Sequence, residues 1–93
     1  MANYTYTIYT SAPNDAANRT VVRANVEAPR AFAPGVAAGA AEEAMERLMR
    51  GSYVHESYTR GNPLYADVYK DGELVKSLFL ESPHHTFDGW RTA

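Results

Sequence analysis

The chain contains no cysteine, so disulfide frameworks, thiolate zinc sites, iron–sulfur clusters and cysteine nucleophiles are all excluded. It also lacks a basic excess. Nine lysines and arginines stand against eleven aspartates and glutamates, a net charge of −2, where a nucleic-acid binder is normally clearly basic. Eleven carboxylates are in turn too few to imitate a phosphate array. No apolar run approaches the ~18 residues of a membrane-crossing helix. The opening Met-Ala-Asn-Tyr-Thr-Tyr-Thr has neither a basic stretch nor an apolar core of the signal-peptide kind. The expectation is a cytoplasmic chain with no membrane partner, in a reducing compartment that the missing cysteines suit.

What is present is a globular composition on 93 residues, enough for one domain. Two segments alternate at period two. In residues 3–11, Tyr4, Tyr6 and Ile8 share one side and Thr5, Thr7 and Tyr9 the other. In residues 20–28, Val22, Ala24, Val26 and Ala28 form an apolar side against Arg23, Asn25 and Glu27. Both read as strands with one buried face.

Residues 34–50 change to helical spacing, with Ala37, Ala40, Ala41, Ala44, Met45, Leu48 and Met49 on one stripe. Pro34 suits the first turn and Gly51 the position just past the end. The alanine-rich half of the stripe favours close approach to a sheet. Glu43 and Arg47 are spaced for an i,i+4 ion pair.

A further strand is expected over 53–59. Strands at 64–70 and 73–81 flank Asp71-Gly72, the strongest short-range hairpin signal. Counting outward from that turn without interruption sets Lys70 against Glu73, Val68 against Val75, Asp67 against Lys76 and Leu64 against Phe79. Leu64, Ala66, Val68, Val75 and Phe79 then face the helix. Tyr65, Tyr69, Leu74, Leu78 and an Asp67–Lys76 pair face away. From Ser82 the alternation breaks. The expected architecture is α+β: one helix on one face of a mostly antiparallel sheet of four to five strands, in the order β-β-α-β-β-β. Residues 1–81 form the domain and 82–93 a C-terminal tail carrying Phe87 and Trp90.

Seven tyrosines in 93 residues are the most informative surplus. Tyrosine offers rigid area and a hydroxyl at low entropic cost, which suits a contact surface. On the uninterrupted register Tyr65, Tyr69, Leu74 and Leu78 are exposed together, with Tyr9 beside them and Trp90 as a further anchor. These six are the expected partner-binding residues, unless the tail folds back and covers them. The partner would be another protein or a second copy of the chain. Arg19, Arg23, Arg30 and Arg60 with neighbouring tyrosines offer a weaker alternative, a single-strand nucleic-acid platform. His55, His84 and His85 have no metal-ligand spacing, and Asp67, Asp71 and the His55-Glu56 pair form no nucleophile–base arrangement. The expectation is a protein without enzymatic activity, cofactor or metal.

With its Tyr-Thr-Tyr-Thr-Ile-Tyr entry at residues 4–9, its strand and helix order and its lack of cysteine, the chain resembles the small orphan proteins of bacteriophages, including anti-CRISPR and other host-takeover proteins. Val36-Ala37-Ala38-Gly39-Ala40-Ala41 looks like the usage of a high-GC source such as an actinobacterial phage. The resemblance implies a binding protein that blocks or redirects one host protein of the defence, replication or cell-growth machinery, in the host cytoplasm.

Overall fold

Alternation at period two becomes a sheet only when each strand finds neighbours, and here five do. The computed structural model describes residues 3–12, 14, 15, 17–51, 58, 59, 61–82 and 85–88. Its strands are β1 (Tyr4–Thr10), β2 (Thr20–Glu27), β3 (Leu64–Lys70), β4 (Glu73–Ser82) and β5 (His85–Asp88), and its helix is α1 (Pro34–Met49). All pairings are antiparallel, in the spatial order β2-β1-β3-β4-β5. The helix packs on β1, β3 and β4.

The α+β class and the single covering helix agree with the sequence expectation, while residues 85–88 differ from it. Most of the strand expected over 53–59 lies outside the described residues, and Tyr58 and Thr59 are not in a strand. Residues 85–88, expected in the tail, form β5 on the edge of β4. The sheet therefore runs past residue 81.

The helix forms as its spacing predicts. Pro34 occupies the first turn, where its missing N–H has no intrahelical partner to lose. Ala33 offers no side-chain cap. Gly51 takes a left-handed φ of 70° just past the end, and its N–H bonds to the Leu48 carbonyl at 3.1 Å. Ala37, Ala38, Ala41, Met45, Leu48 and Met49 are buried, and the Glu43–Arg47 ion pair forms on the solvent side. No helix among the described residues is long and apolar enough to cross a membrane.

Beneath the helix, Tyr4, Tyr6 and Ile8 of β1 join Leu64, Ala66 and Val68 of β3 and Leu78 and Leu80 of β4 in one core. Each fully buried aliphatic side chain contributes about 1.5–3 kcal/mol relative to exposure.

The Asp71-Gly72 turn forms with both φ angles positive, 50° and 84°, the geometry whose twist matches a hairpin. It is also tied to the start of β1. The Asn3 N–H donates to Asp71 Oδ1 at 2.9 Å, and the Asp71 N–H donates to the Asn3 carbonyl at 2.8 Å.

Beyond that turn the hairpin departs from the uninterrupted count. Lys70 faces Glu73 and Tyr69 faces Leu74, but Val68 faces Lys76, leaving Val75 as an extra residue in a β-bulge. One added residue turns every later side chain of β4 to the opposite side. Leu78 and Leu80 thus point to the helix, opposite Ala66 and Leu64, while Ser77 and Phe79 face away beside Asp67 and Tyr65. β2 is irregular as well. Its ladder with β1 shifts on both sides of Ile8, and Asn25 adopts φ 50° with its N–H donating to Thr7 Oγ1 at 3.1 Å. Val22 and Ala28 stay buried, but Ala24, expected on the same apolar side, is exposed.

Candidate functional site

Across the uncovered face the central strands align their side chains in rows. Tyr9 of β1 lies opposite Tyr65 of β3, which lies opposite Phe79 of β4. The next row is Thr7, Asp67 and Ser77. The third is Thr5, Tyr69 and Leu74. The face is therefore aromatic in one row and polar in the middle. At the hairpin end it is mixed.

The middle row is closed to solvent. Asp67 is 0% exposed, and Thr7 and Ser77 are buried on either side of it. Ser77 Oγ donates to Asp67 Oδ1 at 3.0 Å, and the Tyr69 hydroxyl reaches Oδ2 at 3.5 Å. A buried carboxylate must be hydrogen-bonded to persist, and the bulge is what brings Ser77 into place to do this. On the uninterrupted register Lys76 would have stood there; it lies opposite Val68 instead.

Tyr65 is held on three sides. Its hydroxyl is 3.0 Å from Ser11 Oγ, its ring stacks on Phe79 with centroids 5.1 Å apart, and the Arg19 guanidinium sits 4.8 Å from its centroid. It is 5% exposed. The stack and the cation–π contact each add roughly 0.5–1.5 kcal/mol to the burial.

The expected partner-binding residues therefore separate. Leu78 is corrected from surface to core, 2% exposed under the helix, because the bulge turns it over. Tyr65 lies on the expected face but is buried in its own contacts. Tyr9 and Tyr69 are half-buried on that face. Leu74, opposite Tyr69, is 43% exposed, and the bulged Val75 is 39% exposed. Val75 and Phe79 are likewise corrected: neither joins the core under the helix. Trp90 lies outside the described residues, as do His55, His84 and Arg60. Among the described residues, the most exposed large apolar side chains on the sheet's hairpin end are Leu74 and Val75.

Arg19 and Arg30 stand well apart. Arg19 and Arg30 flank opposite ends of the eight-residue β2, which spans roughly 25 Å. Arg19 is engaged on Tyr65. No group of three metal-capable side chains occurs among the described residues.

The sequence reading missed one residue of the surface. Phe32, in the connection from β2 to α1, is 83% exposed, the most exposed large apolar side chain among those described. Its bracketing by Pro29 and Pro34, outside any periodic segment, is the signal that could have marked it.

No family model matches the chain, and no curated protein and no solved structure matches it.

Proposed function

We propose that this protein is a small binding module without enzymatic activity, encoded by a phage, that attaches to one host protein in the host cytoplasm and inhibits or redirects it. The contact surface is the hairpin end of the uncovered sheet face, with Leu74 and Tyr69 at its centre, Val75 at its margin and Tyr9 further along β1. The observation that carries this reading is the exposure of Leu74 and Val75 at the start of β4, just past the Asp71-Gly72 turn. Two aliphatic side chains stand in water beside a half-buried tyrosine, on a strand whose other leucines, Leu78 and Leu80, are buried. Apolar surface grouped in this way on a rigid element marks contact sites.

The preorganisation of the surface supports the same reading. The positive-φ turn, its two hydrogen bonds to Asn3 and the buried Asp67 network hold the hairpin end in one conformation before any partner arrives. Little ordering entropy is then left to lose on association. Steric blockade of a host defence, replication or growth protein needs no more chemistry than this.

The test is retention of a host protein from bacterial lysate on immobilised chain, with Leu74→Asp and Tyr69→Ala run in parallel. The expected result is one protein held by the wild type and lost by both variants, whose thermal unfolding stays within a few degrees of the wild type. Equal retention by Leu74→Asp would refute the proposed surface.

A further inference from the structure

The end of the sheet away from the hairpin carries a second feature, independent of that reading. β1 ends there, and β2 and β3 begin there, Thr10 lying opposite both Thr20 and Leu64. The seven-residue β3 sets this end roughly 20 Å from the Asp71-Gly72 turn. A hollow of about 420 Å³ opens between the end of β1, the start of β2 and the connection that leads into β3. Thr10 and Ser11 are the buried residues of its lining. Exposed Asn18, Thr20 and Thr59 and half-buried Asn62 form the rest of its polar wall. No ionisable side chain is among the described residues that line it. The walls are held in place. Ser11 Oγ lies 3.0 Å from the Tyr65 hydroxyl, and Arg19, between Asn18 and Thr20, sits over the ring of the same tyrosine. Tyr65 thus ties two walls together. In the third, Gly61 takes φ 100° and the Asn62 N–H donates to the Thr59 carbonyl at 3.1 Å, which closes a turn.

We infer that this hollow binds a neutral polyhydroxylated ligand, a saccharide. Its size falls within the roughly 300–1,000 Å³ of small-molecule sites. The lining selects the ligand class by exclusion. An ionised group entering it would lose hydration, with no opposite charge among the described lining residues to offset the loss. An apolar ligand would strip water from hydroxyl and carboxamide side chains and pair with none of them. A saccharide hydroxyl both donates and accepts, as serine and threonine hydroxyls do and as a carboxamide does with its two ends. The polar groups are also set in complementary states. The Thr10 hydroxyl donates to the Pro63 carbonyl at 2.9 Å, so its oxygen can then only accept. Asn18 Nδ2 donates to Asp15 Oδ2 at 2.7 Å, which fixes the orientation of its carboxamide. Thr20, Thr59 and Asn62 add two hydroxyls and a carboxamide that can donate or accept. Because the hollow and the hairpin end lie at opposite ends of β3, both can be occupied at once.

Titration of the isotope-labelled full chain with glucose, galactose, mannose, N-acetylglucosamine, maltose and cellobiose, followed by amide chemical shifts, tests this. At least one saccharide is expected to give saturable shifts centred on Ser11, Asn18, Thr20 and Asn62, with a dissociation constant in the millimolar range or tighter. Sodium glucuronate and cyclohexanol are expected to give none there. Thr20→Val and Thr59→Val should each weaken that saccharide at least ~10-fold, since each removes a hydroxyl and keeps the shape of the side chain. Both side chains are exposed, so thermal unfolding should stay as in the wild type. Leu74→Asp, at the other end of the sheet, should bind the saccharide as the wild type does. A disaccharide held more tightly than its monosaccharide would identify a glycan chain as the source and equal affinity a free sugar, and both outcomes support the site. No saturable shift with any saccharide of the set overturns the inference. So does glucuronate or cyclohexanol binding at these amides as tightly as the saccharide, and so does saccharide binding that neither valine variant weakens.

Discussion

The two faces of the sheet are built from the same strands and closed by different physics. On the helix side, Ile8, Leu64, Val68, Leu80 and Met45 meet in one hydrophobic cluster, and Ala37 and Ala41 let the helix come down close. That face is held by transfer of apolar area out of water. On the other side, Asp67 is buried as deeply and Thr7 and Ser77 nearly so, yet they are held by hydrogen bonds, with the stacked Tyr65 and Phe79 in the next row. Hydrophobic burial is non-directional and tolerates small rearrangements, whereas a buried carboxylate requires its donors at fixed places. The polar face is therefore the one that specifies register, and the apolar face supplies most of the stability.

Substitutions on β4 break the comparison most sharply. Leu80→Ala, on the helix side, should cost about 2–5 kcal/mol, read as a fall in the urea midpoint with the m-value unchanged. On the polar side Asp67→Ala should cost about 1–3 kcal/mol, since Ser77 Oγ keeps a buried hydroxyl without its acceptor. Combining it with Ser77→Ala should add less than the sum of the two, with a coupling of about 0.5–3 kcal/mol in a double-mutant cycle. Full additivity would mean the pair does not act as a unit. Tyr65→Phe should lose about 0.5–1.5 kcal/mol, because the ring keeps its stack on Phe79 and only the hydroxyl contact with Ser11 goes. The smallest stability effect is expected at Leu74→Asp, within about 0.5 kcal/mol in the same denaturation assay. That variant sits only a few residues before Leu80, so the pair measures how abruptly one strand passes from surface to core.

Much of this comparison was legible in the chain before folding. The helix stripe, the proline at its start, the glycine past its end and the Asp71-Gly72 turn are local signals, and each produced the element expected of it. The side of β1 that carries Tyr4, Tyr6 and Ile8 was legible too, because β1 alternates without interruption. The site was less so. Tyr9, Tyr65, Tyr69 and Leu74 were placed on the correct face. Exposure could not be read from alternation, because it depends on Arg19, Ser11 and Phe79, which meet Tyr65 from other parts of the chain. Leu78 was turned the wrong way by a single residue. Phe32 lies in a connection with no period at all, where Pro29 and Pro34 mark a loop but only the tertiary structure shows it 83% exposed.

The amino-acid sequence by itself determined where the chain turns, where it coils and which side of β1 and β3 is apolar, since these follow from backbone preferences and spacing within a few residues. The tertiary structure alone decided the bulge at Val75. Without it Val75, Ser77 and Phe79 would face the helix. Leu78 and Leu80 would face away, and Asp67 would lose the Ser77 donor. With it two leucines enter the core and the buried carboxylate gains its hydrogen bond. Either register satisfies the local pattern of β4. The choice falls to contacts between residues far apart in the chain, because only they distinguish an aliphatic side chain that is buried from one that is not, and a carboxylate that is bonded from one that is bare.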